Sequence, residues 1–390
     1  MIHRVIESLL HKRLSAYPAV TLVGPRQCGK TTLSKSLAAS QGGHYFDLEQ
    51  TPERSRLDAM WAGVIAENRL VVFDEAQSWP ELFPRLRGAI DADRATNGRF
   101  LLLGSFPPFL MASISESLAG RMAIVYLSPF LLNEFPSLPS RLDDLWFRGG
   151  LPDGGILQME RFPGWQSDYL VMLAHRDLPR WGLPAAPQQT LRLLQMLAAL
   201  HGQMWNASRV GRDLGLAYHT INAYLNYLEG AFLIRRLHPF QADIRKRLVK
   251  SPKVYWRDTG LLHSLLGVSS VDGLFSLPRV GASWEGFVIE QILNTMQATG
   301  LRAEPYFLRT SDNYELDLIL DWGVQKWALE IKLTSSPGPS DLDALNKMAS
   351  AIGADKRILV SRCPTITRGG DTILCDLPWL LENMSSLAGS

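Results

Sequence analysis

Near its start the 390-residue chain reads GPRQCGKTTLSKSLAA directly after the apolar run AVTLVG. Gly24, Gly29, Lys30 and Thr31 stand at the spacing G-x-x-x-x-G-K-[ST], between a run patterned as a strand and one patterned as a helix. Glycines let successive backbone N–H groups curl around an anion, and a helix start adds the positive end of its dipole. Gly24, Pro25, Arg26, Gln27, Cys28, Gly29, Lys30, Thr31 and Thr32 are therefore the expected phosphate cradle. Lys30 is expected on the β- and γ-phosphates of a nucleoside triphosphate, and the Thr31 hydroxyl on its Mg2+. The alternative is a Gly-rich turn that binds nothing. Further on, RLVVFDEAQ closes an apolar run with Asp74 and Glu75, as a buried parallel strand does where it surfaces at its C-terminal end. Asp74 is expected in the Mg2+ shell and Glu75 as the group that polarises an attacking water, against a solvated acid at a strand end.

Two more residues belong to the same chemistry. RFLLLGS ends at Ser105, where nucleotide hydrolases of the AAA type carry a small polar residue that senses the γ-phosphate; the alternative is a turn residue. Arg121, in SLAGRM before the strand-like AIVYL, is a candidate finger for transition-state charge, in cis or from a neighbouring subunit. Its alternative is a solvated arginine at a helix end.

A second constellation lies near the other end, in YELDLILDWGVQKWALEIK. Two short strands around a turn put Asp317, Glu330 and Lys332 on one face of an otherwise apolar stretch. Upstream, GASWEGFVIEQILNTM is helical, with Val288, Ile289, Ile292 and Leu293 on the stripe that contains Glu285, whereas Glu290 lies off it. An inward carboxylate is costly unless paired, protonated or metal-bound. Asp317 and Glu330 are expected to chelate a divalent cation, Mg2+ or Mn2+, with Glu285 as a further ligand and Lys332 activating a water or stabilising charge. Three readings stand: metal-dependent cleavage, nucleic-acid binding without cleavage, and a buried ion-pair cluster.

These groups need scaffolds. The chain is too long for one ordinary core, so several domains are expected. A composition of 46% hydrophobic and 20% charged residues is that of a globular protein. A net charge of +2 means that any nucleic-acid contact depends on a local patch. Three cysteines without metal spacing fit a reducing cytosol, and no apolar run reaches the roughly 20 residues that cross a bilayer. The N-terminal run lacks a signal peptide's apolar core, so a cytoplasmic protein without membrane association is expected. Strands alternating with helices predict a parallel, doubly wound sheet over residues 1–150, followed by linker and lid helices over 151–187. Residues 188–257 read as a helix-turn-helix with Gly215 in the turn, core positions Val210, Leu214, Ile221, Leu225 and Leu228, and a wing from Phe232 to Phe240. His219, Thr220 and Asn222 would face DNA. Arg235, Arg236, Arg245, Lys246, Arg247, Lys250, Lys253 and Arg257 form a basic run against the single acid Asp243; it is a phosphate-binding patch, a solvated hairpin or an intramolecular contact. Residues 258–390 complete an α/β sandwich.

Taken together, GPRQCGKTTL, VVFDEAQ, LLLGS, LAGR, SPFLLNEF, FRGGLP, KVYWRDTGLL, GASWEGFVIEQIL and ELDLIL…ALEIK resemble a bacterial and archaeal family of AAA-type ATPases, related to signal-transduction ATPases with numerous domains. The Asp-hairpin-Glu-x-Lys spacing resembles the PD-(D/E)xK nuclease fold. The resemblance implies ATP binding and hydrolysis by a P-loop NTPase domain, a winged-helix middle and a C-terminal restriction-endonuclease-like domain of unknown function. The expected cofactors are ATP and Mg2+; the expected targets are DNA or RNA, or else a protein partner recruited by an ATP-held switch, and self-association is left open.

Overall fold

The computed structural model describes residues 2–104, 118–135, 140–241, 249–311 and 314–389, which fall into two compact units. One comprises His3–Phe130 with Gly230–Phe232, the other Leu131–Glu229 and Leu233–Ser390.

In the first unit five apolar runs become β1 (Ala19–Val23), β2 (His44–Asp47), β3 (Val71–Asp74), β4 (Phe100–Leu103) and β5 (Met122–Tyr126). Every pairing is parallel, in the order β2-β3-β4-β1-β5, as the alternation of strand and helix predicts. β1, β3 and β4 are buried at each position, which is why they read as unbroken apolar runs. The helices α1 (Ile6–Ala16), α2 (Lys30–Ser40), α3 (Thr51–Ala66) and α4 (Leu82–Ala92) belong to the same unit. In α4, Leu82, Phe83, Leu86 and Ile90 recur at helical spacing and form the buried face. Phe46, Phe73 and Phe100, from neighbouring strands, stack in series with centroids 6.5 and 6.1 Å apart. Each such ring contributes about 1.5–3 kcal/mol by leaving water. Because parallel strands end on one edge of the sheet, whatever follows β1 and β3 is brought together there.

The second unit holds a mixed sheet built from β6 (Gln203–Met204), β7 (Ile234–Pro239), β8 (Lys253–Trp256), β9 (Glu304–Arg309), β10 (Glu315–Asp321), β11 (Lys326–Ile331), β12 (Lys356–Val360), β13 (Thr367–Gly369) and β14 (Thr372–Cys375). Among the described residues its order is β13-β14-β12-β11-β10-β9-β7-β8-β6. The expected hairpin is present, with Leu318 opposite Leu329 and Ile319 opposite Ala328. Leu316 to Leu320 are all buried, so both faces of β10 are covered.

Three expectations change. The segment from Phe232 to Phe240 is not a strand pair: its single strand, β7, finds its antiparallel partner in β8. β7 also pairs in parallel with β9 through His238–Tyr306 and Pro239–Phe307, so one sheet crosses the expected boundary at 257/258. Finally, the helix Val280–Thr299 is buried nearly all round, including Glu290, which is more deeply placed than Glu285. A helix enclosed on all sides has no solvent face, so stripe position does not rank its carboxylates.

Candidate functional site

At the C-terminal edge of the first sheet, the loop after β1 turns into α2. Gly24 is required by close approach, since a Cβ there would stand 2.1 Å from the Leu127 carbonyl oxygen. Gly29 is required by its φ of +99°, and α2 begins behind it with no side-chain cap on its first N–H groups. Gln27 also takes a positive φ, of 60°, in the same tight loop. Lys30 is buried and its Nζ donates to the carbonyls of Gly24 (2.9 Å) and Pro25 (2.7 Å). Thr31 Oγ1 donates to Asp74 Oδ2 at 2.7 Å, so the two residues assigned from sequence to one magnesium shell, far apart in the chain, are in contact. Cys28 is enclosed, its Sγ 3.5 Å from the Leu127 oxygen, while Arg26 is half-buried and Thr32 exposed.

Glu75 follows β3 in a left-handed conformation (φ 48°, ψ 46°), an uncommon state for a residue with a Cβ and one that concentrates at functional sites. Burial pushes its carboxyl up; a hydrogen bond from Gln77 opposes this, Asp74 reinforces it, and Lys30 and Arg26 oppose it. Glu75 therefore faces the cradle. A helix start without a side-chain cap, a lysine, a hydroxyl and two carboxylates make a donor set that fits a magnesium-bound triphosphate.

Two residues that sequence reasoning missed complete this site. Tyr45, the second residue of β2, donates its hydroxyl to Asp74 Oδ2 at 2.6 Å. Burial and then this bond to Asp74 hold the Tyr45 phenol well above its ordinary range. Arg4, ahead of α1, reaches the loop from outside: Nη1 donates to the Cys28 carbonyl (3.0 Å) and Nη2 to that of Ser128 (2.7 Å). Neither follows from a motif, although the register of β2 on β3, Asp47 beside Asp74, puts Tyr45 near by.

Arg121 is not brought to the cradle. It precedes β5 at the edge where β1 begins, and its guanidinium grips Asp91 with two bonds of 2.8 and 3.0 Å. The length of β1, about 13 Å at the usual rise, separates that edge from the loop. The pairing spends its charge, and this placement supports no cis finger. Ser105 lies outside the described residues.

In the second unit, the four residues singled out from sequence do converge. Asp317 and Glu330 are both buried, on adjoining strands. Asp317 Oδ2 accepts the N–H of Ile331 at 2.8 Å, and Lys332 Nζ donates to Glu330 Oε1 at 2.7 Å. Burial raises the Asp317 carboxyl well above its usual range, and Glu285 and Glu330 add to it. Burial also raises Glu330, against the pull of Lys332. The structure adds three residues: Lys253, Tyr255 and Glu315. Carboxylate oxygens of Glu285, Glu315 and Asp317 lie within 4.8 Å of one another. Lys253 Nζ contacts Glu285 Oε1 at 2.8 Å and also pairs with Glu315, and the Tyr255 hydroxyl donates to Glu285.

Among its described residues the basic run is largely paired internally. Arg235 and Arg257 pair with Glu290, Arg236 with Glu229, and Lys253 with Glu285 and Glu315. Lys250 is exposed; Arg245, Lys246, Arg247 and the acid Asp243 lie outside the described residues. Buried or half-buried carboxylates take these four cations, so the described part of the run is not the open patch a charge count suggests. Asn222 accepts the Trp205 indole N–H at 2.8 Å and is likewise committed within the fold, whereas His219 is exposed.

A parallel sheet of this order, with a phosphate loop after β1 and an Asp-Glu pair closing β3, defines a P-loop nucleotide-binding domain of the AAA type, and residues 16–136 match the family described as AAA domain. Residues 139–272 and 280–380 match two families, each described as a domain of unknown function. Uncharacterized protein Rv2008c of Mycobacterium tuberculosis and uncharacterized protein Mb2031c of Mycobacterium bovis are each 40% identical to the chain over 334 residues, covering 85% of this chain and 74% of theirs. The chain belongs to the same protein family as these two. Among solved structures, the Walker-type ATPase paby2304 of Pyrococcus abyssi is 15% identical with a TM-score of 0.48, over 68% of this chain and 96% of that one. RuvB of Thermotoga maritima is 18% identical with a TM-score of 0.31, over 59% and 88%. Both scores are too low to carry weight, and the assignment rests on the family match and the site. Among the described residues no helix is long and apolar enough to cross a membrane.

Proposed function

We propose that the chain binds Mg·ATP in the β1–α2 cradle and hydrolyses it, using the cycle to change its conformation. The contact of Thr31 with Asp74 beside a buried Lys30 is the observation that carries this reading. Bound Mg·ATP supplies a polarised γ-phosphoryl group. The N–H groups from Gly24 to Thr32 would hold the phosphates, and Lys30 would exchange the Gly24 and Pro25 carbonyls for phosphate oxygens. Thr31 and Asp74 would hold the metal, with Tyr45 fixing the Asp74 carboxylate. Glu75, whose proton affinity is raised by burial, would orient and deprotonate water.

For the target, nucleic acid is the first reading. It is supported by the order helix Pro187–Ala199, β6, helices Ala207–Leu214 and Tyr218–Gly230, β7, β8, with β6, β8 and β7 antiparallel, an order in which a winged helix would be built. The exposed start of the helix Tyr218–Gly230 would be its reading face. The second reading, an ATP-held switch that recruits a protein, is favoured by the internal pairing of Arg235, Arg236, Lys253 and Arg257. ATP turnover measured with and without DNA or RNA across a salt series separates them. Stimulation that falls steeply with salt supports nucleic acid, and rates indifferent to any polynucleotide support the switch.

For the C-terminal cluster, cleavage is the reading that the convergence of Asp317, Glu330 and Lys332 supports. Incubation of DNA and RNA with Mg2+ or Mn2+ tests it; products unchanged by Asp317→Asn remove the cleavage role.

A further inference from the structure

Arg4 stands ahead of α1 and outside the phosphate-loop motif, yet it is only 5% exposed. Its backbone N–H is tied to Glu7 Oε1 at 2.7 Å, and Ile6, Leu10 and Leu14 bury the face of α1 that follows. From this fixed base the guanidinium serves three carbonyls. Nη1 donates to that of Cys28 at 3.0 Å, and Nη2 to those of Ser128 at 2.7 Å and Pro129 at 3.3 Å. The Phe130 ring faces the same group, its centre 4.6 Å from the guanidinium carbon. The segment after β5 therefore brackets the loop twice. The Leu127 oxygen fills the space beside Gly24, and Arg4 fastens Cys28 to Ser128 and Pro129.

A planar trans peptide points its C=O and its N–H in opposite directions, so the bond from Arg4 to the Cys28 carbonyl also sets where the Gly29 N–H points. This peptide turns about ψ of Cys28 and φ of Gly29. Gly29 is a weak hinge, because a residue without a Cβ takes either sign of φ at little cost, and here φ is +99°. Turned over, the peptide would offer a carbonyl oxygen where a phosphate needs a donor. Lys30 Nζ takes the carbonyls of Gly24 and Pro25, and the Cys28 carbonyl falls to Arg4. We infer that Arg4 is a positioning residue of the nucleotide site: by holding the Cys28 carbonyl it keeps the Gly29 N–H turned into the cradle, toward the phosphates of a bound nucleoside di- or triphosphate. The inference rests on the Mg·ATP reading and adds to the site a part that lies outside its motif.

The test is equilibrium binding of Mg·ATP and Mg·ADP, with ATP turnover and melting temperature, to the full chain as wild type, Arg4→Met and Arg4→Lys. Cutting a purely structural tie lowers the folded fraction and hence kcat, and leaves the affinity of intact molecules alone. A turned peptide instead raises Kd in every molecule. Arg4→Met should weaken both nucleotides about 10-fold, the scale of one hydrogen bond to a charged group, and raise KM in step while kcat stays within about twofold. Arg4→Lys should fall between, about threefold weaker than wild type, because an ammonium does not reproduce the planar fork over Phe130. Wild-type affinity in folded Arg4→Met overturns the inference, as does a fall in kcat at unchanged KM. Should Arg4→Met not fold, Arg4→Lys decides: about threefold weaker binding of both nucleotides upholds the inference, and unchanged binding overturns it. These outcomes are read against a wild type that binds; a wild type that binds neither nucleotide removes the Mg·ATP reading itself.

Discussion

At the scale of single residues the cradle depends on a carboxylate held from two sides. Asp74 Oδ2 accepts from Thr31, which belongs to the loop, and from Tyr45, which belongs to a neighbouring strand. Removing the hydroxyl leaves Asp74 held by Thr31 on Oδ2 and by the Glu75 N–H on Oδ1 (2.9 Å), one bond fewer on the oxygen that faces the loop. Tyr45→Phe is therefore expected to raise the Mg2+ concentration for half-maximal ATP turnover by about 10-fold, as loss of a supporting hydrogen bond behind a metal ligand does, while the melting temperature hardly moves. Unchanged magnesium dependence would show that Thr31 and the Glu75 N–H suffice to fix Asp74.

At the scale of elements, two short motifs that have no chemistry of their own explain one another. Asp258 opens the helix Thr259–Leu265, accepting the N–H of Leu261 at 3.0 Å, and it also accepts the N–H of Gly150 at 2.8 Å. A Cβ on Gly260 would fall 1.9 Å from the Arg148 carbonyl, so FRGGLP and RDTGLL are locked face to face. Asp258→Ala loses a cap and strands a buried N–H, and should destabilise the protein by about 2 kcal/mol in chemical denaturation; a loss near zero would mean water replaces the carboxylate. This contact also shows what the sequence could disclose. The phosphate loop, its partner Asp74 and the hairpin at β10–β11 were legible because each is local, set by spacing and by apolar runs that end in charge. Lys253 was legible only as one charge in a basic run, because its partners come from strands and a helix remote in sequence. Glu290 was misplaced because periodicity assumes a solvent face, and the helix Val280–Thr299 has almost none. Arg121 stands before β5, and in a parallel sheet that position falls on the edge opposite the cradle, so the predicted topology itself disfavours the cis reading.

At the scale of the whole molecule, buried imidazoles set the acid limit of stability. His201 takes the Trp256 N–H on Nδ1 and faces the Ala282 carbonyl with Nε2; His263 faces the Phe147 carbonyl with Nδ1 and the Ser283 hydroxyl with Nε2. Each arrangement uses a neutral ring, with one nitrogen donating and the other accepting. Burial holds His201 down at about 3, with His263 and Arg279 adding to it against the Ala282 hydrogen bond and Glu290, and burial holds His263 down at about 4. Unfolded, both take up protons near pH 6.5, so below that the unfolded state binds more protons and stability falls as pH drops toward 4. Near pH 5 each ring should cost about 2 kcal/mol relative to pH 7.5. Melting temperatures across that range should decline less steeply in His263→Gln than in wild type, and parallel declines would exclude this histidine as a cause.

Both units are of interest chiefly if the first one grips a nucleotide. The most direct measurement is equilibrium binding of ATP with Mg2+ to Glu75→Gln protein, in which the cradle is intact and turnover should be slowed about 100-fold or more. Saturable binding of one ATP per chain, lost on Lys30→Ala and weakened by EDTA, is the result expected. A folded Glu75→Gln protein with no saturable affinity for any nucleoside triphosphate contradicts the account at its base.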